Sequence, residues 1–403
     1  MVVNNWSEVL IEDCADLLSG FAFKSKGFTA NVDDIPLVKG ENLHQGYIDW
    51  ESAKRWKKEE LRDYEKYVLC TGDIVLAMDR PWIEAGLKYS WIKPHNPKCL
   101  LVQRVCRMRG INGLKTDYLR YIIGSQSFTD YIKPIVTGVN VPHISAAQIK
   151  AFRFRLPPVE VQNKISGILS AYDDLIENNI RRIKTLEEIA QNLYREWFIK
   201  LRFPGYEKVK MVESELGVIP EGWKVQLVSD ILKRLKAGTK YTQDNVLPIG
   251  NVPVVDQSRD EVLGYHNSKP DHSASAEKPI IIFGDHTCKM QLMVEPFSVG
   301  PNVIPFTSID DIPLQFLYYA INSLVETKEY KRHWNDLVLK KILIPNGEVM
   351  EAFSKISISF FQSSDNLNKK NTNLRRTRDL LLPKLISGEL DVENLDIDTG
   401  GME

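Results

Sequence analysis

The chain has 403 residues, 43% of them hydrophobic, with 52 lysines and arginines against 53 aspartates and glutamates. That length predicts two or three domains, and the even charge balance excludes nucleic-acid binding through bulk charge, so such a role must rest on local patches. No apolar run nears the roughly 20 residues of a membrane span, and no secretory signal precedes Trp6. The scattered cysteines (Cys14, Cys70, Cys99, Cys106, Cys288) form no CxxC pair, which points to reduced thiols in a cytosol and away from structural zinc.

Residues 1–155 read as a first globular domain. Trp6 to Asp13 opens it, and a glycine, serine and lysine loop holding Gly20, Lys24, Lys26 and Gly27 follows. Ile35–Lys39 and Gly46–Trp50 predict strands, a charged helix crosses Lys54–Tyr67, and Gly72-Asp73 reads as a turn feeding a buried strand through Met78. Leu101–Arg109 alternates as a strand bearing Arg104, Arg107 and Arg109, either a basic reading face or a solvated sheet face. Asp117–Tyr131 predicts a helix, and Thr137 to Ile144 a loop before a short strand.

Residues 156–204 read as one long helix of about 60 Å. Pro157-Pro158 stops what precedes and pre-sets the first turn, and no proline recurs until Pro204. Ile165, Tyr172, Asn179, Leu186 and Leu193 fall seven apart, with Ile168, Leu175 and Ile189 three positions on, a line that Arg182 and Glu196 interrupt. This is a heptad seam, in which the polar Asn179 costs stability and can fix register. A polar, turn-rich linker follows over 205–221.

The order then repeats. In a second domain over 222–345, Gly222–Leu227 answers the first Trp-led element, and a loop with Lys236, Gly238, Thr239 and Lys240 takes the place of the first lysine loop. Ile280–Phe283 is a strand before Gly284-Asp285, Ile312–Tyr330 predicts a helix, and Arg332–Asp336 a loop. A second long helix spans 346–390. Its Phe353, Phe360, Leu367, Leu374 and Leu381 each lie 188 positions after a counterpart in the first. The tail over 391–403 predicts poor order. So long a period is not a solenoid, whose repeats run about 20–50 residues, but a duplicated chain. The fold class expected is α+β: two pseudo-repeated α/β domains separated by two long helices. In-phase heptads favour an antiparallel coiled coil with similar heads at its ends over core helices of one large domain.

Catalytic signatures are missing. There is no GxxxxGK[ST] loop, dinucleotide fingerprint, HExxH or GxSxG, and Pro157-Pro158 lacks the Asn or Asp of an amino-methyltransferase motif. Pro270-Asp271 with Glu277-Lys278 misses nuclease spacing. No catalytic residue and no metal site is expected. The two lysine loops can bring ammonium and backbone N–H groups to phosphate, or be solvated turns. Thr137, Asn140 and His143, with Arg332, Trp334 and Asn335 at the matching loop, offer base-edge donors and a stacking face, or cap the turns before their strands. Arg80 beside Trp82 is a further candidate contact.

Taken in order, these pieces resemble the DNA-specificity subunit of type I restriction-modification systems over nearly the whole chain. The resemblance rests on Leu156-Pro157-Pro158-Val159-Glu160-Val161-Gln162-Asn163-Lys164-Ile165, although Val161 intervenes before Gln162. It also rests on Gly72–Leu76, Thr137-Gly138 with His143-Ile144-Ser145, and the closing Leu380–Leu390. It implies two target-recognition domains that read halves of a split double-stranded DNA site, with the helices as spacer. Two methyltransferase subunits would dock on the helices and restriction/translocase subunits would join them, in the cytoplasm. This chain would carry no cofactor, and S-adenosylmethionine, ATP and Mg would sit on the partners. A scaffold that joins protein partners without touching bases is the competing reading, and a stand-alone enzyme on nucleic acid a third.

Overall fold

The computed structural model describes residues 6–83, 86–135, 142–258, 262–309, 312–327, 329 and 331–397. It divides into two compact units, Met1–Glu177 with Asn371–Glu403, and Asn178–Lys370. The central helix (Val159–Tyr194) and the C-terminal helix (Gly347–Ile386) each give a part to both units.

In the first unit, Ser7–Leu10 pairs antiparallel with Arg153–Leu156, which leads into the central helix. A four-stranded antiparallel sheet runs Ala15–Ser19, Val105–Gly110, Ile74–Ala77, Tyr89–Trp91. Beside it, Ile35–Val38 lies parallel to Cys99–Leu101. Ile74–Ala77 is buried throughout, and Asp73 just before it accepts from the Cys70 N–H at 2.8 Å and from Arg109. The Gly72-Asp73 turn therefore locks two neighbouring strands. Arg107 is buried and paired with Asp16 and Arg109 is held by Asp73, so these two arginines are structural, while Arg104 just before the strand is exposed.

The second unit repeats the four-stranded sheet and the parallel pair, although its second sheet has three strands where the first unit has four. Lys224–Leu227 pairs with Lys341–Ile344, and the four-stranded sheet runs Leu232–Arg234, Val303–Ser308, Ile280–Gly284, Met290–Met293. Val252–Val255 lies parallel to Ser298–Val299. In both units the first strand of the sheet pairs with the last, and the last with the second. Neither strand order nor the parallel pair is visible in sequence identity.

Several local expectations change. Gly46–Trp50 forms no strand, only a bridge from Ile48 to Leu43. Lys58–Tyr67 is 3₁₀ helix kinked at Tyr64. The helix expected over 117–131 is two, Thr116–Ile123 and Gln126–Ile135, broken at Gly124, where a Cβ would collide with the Tyr89 hydroxyl. Leu314–Ile321 ends early, with Ser323 in left-handed backbone. Within the linker, Met211–Ser214 and Gly217–Pro220 form a hairpin. The tail is anchored up to residue 397: Val392 is buried in the first core and the Glu393 carbonyl accepts from Lys164 at 2.6 Å.

Within each unit the two long helices run antiparallel. In the first, Ile165 and Leu169 share a core with Leu381 and Leu385, and Arg378 meets Asp173 at 2.7 Å. In the second, Tyr194 and Trp197 pack on Phe353, at ring separations of 6.0 and 6.1 Å, while Leu186 and Leu367 line one cleft. The first heptad line is inward, but its companion lies four positions on, not three. Leu169, Ile176, Ala190 and Trp197 are buried, whereas Leu175 is 54% and Ile189 47% exposed. On the C-terminal helix the companion line is largely polar, with Ser357 and Asn371 buried and Arg378 half-buried. After Tyr194 the central helix widens into a π turn over Arg195–Ile199, which carries Trp197 and Phe198 into the second core.

Each globular part is seated on its helices at corresponding places by different chemistry. In the first unit, Tyr121 donates to Asp173 at 2.8 Å and Arg120 lies 3.6 Å from the same carboxylate. Burial, then Asp173, pushes the Tyr121 phenol well above its ordinary pKa. At the matching helix of the second unit, Tyr318 and Tyr319 pack on Phe361 at 5.4 and 5.6 Å. Gln162, from the proline-led motif, adds an anchor in the first unit. Its amide accepts from Lys115 N–H and donates to the Gly113 and Pro157 carbonyls, each at 2.8 Å.

Leu169→Ala is expected to cost about 2–5 kcal/mol in denaturant unfolding, and Leu175→Ala to stay within about 0.5 kcal/mol. Equal losses would return Leu175 to the seam. Asp173→Ala is expected to cost about 3–5 kcal/mol, because it leaves Arg120 without its buried counter-charge.

Candidate nucleic-acid interface

Two candidate residues of the first unit, Arg80 and His143, meet at Asp79. Just past the buried strand, Met78 N–H donates to the Arg104 carbonyl and Ile144 N–H to the Met78 carbonyl, both at 2.8 Å. This brings the loop before the pre-helix strand onto the end of the central strand. Asp79 then accepts from His143 Nδ1 at 2.7 Å and pairs with Arg104. Arg80 N–H donates to the Pro142 carbonyl at 2.6 Å, and Arg80 is exposed with a left-handed φ of 44°. Arg80 and His143, 63 positions apart in the chain, thus sit on one edge. Thr137 and Asn140 lie outside the described residues.

Electrostatics reinforce that edge. Burial alone would raise the Asp79 pKa, but Arg104 and His143 hold it below the ordinary 3.8. Burial and the nearby Arg80 charge hold Lys88 below the usual lysine value while it donates to the Gly40 carbonyl. Trp82 is 38% exposed, with the Lys133 ammonium 4.0 Å above its ring. Lys24 and Lys26 are exposed on a short 3₁₀ turn whose Gly27 lies flat on Trp56, where a Cβ would collide at 2.3 Å. A buried Phe23, Trp56 and Tyr64 cluster supports that turn.

The second unit uses the same backbone frame. Asp285 N–H donates to the Asn302 carbonyl and His333 N–H to the Asp285 carbonyl, both at 2.8 Å. Arg104 and Asn302 hold matching left-handed conformations, φ 65° and 59°. Here the carboxylate of Asp285 accepts from His333 and Trp334 N–H at 3.1 and 2.9 Å, capping the helix Trp334–Val338. Arg332 is exposed with Nε 3.8 Å from Asp285, and Asn335 is exposed. Trp334 differs from the open stacking face expected: its half-buried ring packs on Phe283 and Phe306 at 5.9 and 5.4 Å.

The Lys236–Lys240 loop is held by a polar chain. Gly238, at φ +90°, lies so close to Asp271 that a Cβ would meet its side chain at 2.4 Å. Asp271 accepts from Thr239 at 3.1 Å, and Ser298 accepts from Asp271 N–H at 3.1 Å and lies 3.0 Å from His266 Nε2. Lys236 and Lys240 stand exposed. Asp79, Asp271 and Asp285, which position three of these loops, were not legible as site residues in the sequence. A single acid in a loop carries no spacing signal, and its partner is found only in space.

Both units therefore present cationic, hydrogen-bonding loops beside a carboxylate, half-buried at Asp79 and buried at Asp285, an arrangement suited to phosphate and base-edge contact. Among the described residues no group of three or more His, Cys, Asp or Glu side chains could hold a metal.

Comparison with known proteins agrees with this reading. Residues 4–188 match the family described as the type I restriction modification DNA specificity domain. The chain is 28% identical over 310 residues to the type I restriction enzyme MjaIX specificity subunit of Methanocaldococcus jannaschii, covering 70% of this chain and 71% of that one. It is 22% identical to the type I restriction enzyme HindI specificity subunit of Haemophilus influenzae, over 96% of this chain and 100% of that one. The solved S subunit of a type I restriction-modification system from M. genitalium shares the fold at a TM-score of 0.57 and 15% identity, over 97% of this chain and 99% of that one. The fold and paired loops define a duplicated protein of two α/β units built on two long helices. Over residues 4–188 the chain matches the type I restriction modification DNA specificity domain, and over most of its length it is similar to type I specificity subunits.

Because the Asp79 pKa is depressed in the folded state, its contribution to stability is present above 3.8 and lost as pH falls through the lowered value. Asp79→Asn is expected to flatten that acid limb in pH-dependent unfolding. An unchanged limb would remove Asp79 from its positioning role.

Proposed function

We propose that this chain is the non-catalytic, sequence-reading subunit of a type I restriction-modification complex, recognising a split double-stranded DNA target through two domains. The observation that carries this is the recurrence of one topology and one loop frame in both units, each continuous with a pair of antiparallel helices. Two readers with different side chains on a common frame suit an asymmetric split site. The reading surfaces are Lys24, Lys26, Arg80 and His143 with the Thr137 to Asn140 segment in the first domain. In the second they are Lys236, Thr239, Lys240, Arg332 and Asn335, with Trp334 supporting from the core.

Methyl transfer and cleavage belong to partners: two methyltransferase subunits using S-adenosylmethionine and restriction/translocase subunits using ATP and Mg, assembled in the cytoplasm. Leu175 and Ile189, exposed apolar side chains two heptads apart on the central helix, support docking there, because such residues suit a partner surface.

Co-expression with the cognate methyltransferase, followed by mapping of methylated bases, is expected to reveal one split motif with a fixed gap that disappears without this chain. No motif from an assembled complex would favour a scaffold. Alanine at Lys24 and Lys240 is expected to lower DNA affinity and reduce its salt slope by about 1 per lost phosphate contact. Leu175→Asp with Ile189→Asp is expected to abolish co-purification with the methyltransferase while leaving the unfolding midpoint nearly unchanged.

A further inference from the structure

The middle of the helix pair carries a feature that base reading does not use. Residues 178–186 of the central helix hold Arg181, Arg182 and Lys184 and no acid, and residues 366–378 of the C-terminal helix hold five cations and no acid. Within the second unit these helices border an open cleft of about 560 Å³. Its lining includes Arg181, Arg182 and Lys370, the amides Asn178 and Asn366 and the Thr185 hydroxyl, and no carboxylate. Neighbouring Lys369 is neutralised by Asp365 and Glu295. Among the described residues Arg181, Arg182 and Lys370 take part in no ion pair.

We infer that this cleft binds the sugar-phosphate backbone of duplex DNA without reading bases, an inference that rests on the DNA-reading function proposed above. The chemistry of the lining decides between partners. Guanidinium, ammonium, amide and hydroxyl donors are the groups that contact phosphate oxygens. A protein partner would call for apolar or aromatic anchors, with lysine depleted. The cleft offers only Leu186 and Leu367, both committed to the helix seam. Leu175 and Ile189, the exposed apolar residues of the central helix, are absent from that lining. With a net charge of −1 for the whole chain, this excess of positive charge is local. Crowded like charges repel one another, and an anionic backbone relieves that cost while releasing counterions.

The test uses the full chain assembled with its methyltransferase. Binding of a labelled 40-bp duplex carrying the mapped motif, and of a random 40-bp duplex, is measured as a function of salt. Arg181→Gln, Arg182→Gln and Lys370→Gln together are expected to weaken both duplexes on the order of 10- to 100-fold near 0.1 M salt. The log–log salt slope should fall by about 2 to 3. The methylated motif should stay the same. Arg181→Lys with Arg182→Lys should retain the slope, which separates charge from packing. Unchanged affinity and slope in the Gln variant, with the wild type still methylating its motif, would overturn the cleft and leave the reader intact. Loss of methyltransferase co-purification at unchanged slope would make the cleft a protein interface and also overturn it. A wild type without any motif would defeat the reading function itself.

Discussion

Everything in this molecule depends on how each globular part is held to the helices it runs into. In the first unit the contact is ionic and buried: Asp173 takes Tyr121 from the globular part and Arg378 from the opposing helix. Burial works against the Arg378 cation, yet Asp173 and Asp379 hold its proton more firmly than water would. A buried carboxylate shared this way tolerates little displacement, because each lost partner leaves a charge in a poorly solvated place.

The second unit solves the same problem with aromatic packing on Phe361, and the polarity of the flanking ion pairs is reversed. Lys93 and His95 reach Glu177 in the first unit, whereas Glu295 reaches Lys369 in the second. One frame is thus used twice with incompatible side chains at the contacts. A duplicated chain faces the hazard that either copy could settle on the other's helices. Buried charge against aromatic surface makes that exchange unfavourable, since an unpaired carboxylate would meet a ring.

The exposed loops follow the same economy. Hydrogen bonds from Met78, Ile144, Asp285 and His333 build a common backbone frame, and the side chains mounted on it diverge: Arg80 and His143 in one unit, Arg332 and Asn335 in the other. Backbone bonds are indifferent to residue identity, so the frame persists while the exposed chemistry changes. That separation lets one topology present two chemically different surfaces.

Much of this was legible in the residues alone. The seven-residue spacing from Ile165 and from Phe353, the offset of 188 and the proline stops determined two long helices and a duplicated chain, because helix periodicity and proline geometry are local properties. The companion line was misread because a 3.5-residue repeat accommodates steps of three and four equally. Only packing chose Leu169 over Ile168. The lysine loops were visible as composition, but the acids that shape them were not. Asp79 meets His143 across 64 positions and Asp285 meets His333 across 48. Such partners are selected by the folded backbone, so tertiary structure alone decided which loops share an edge and which rings, like Trp334, turn into the core.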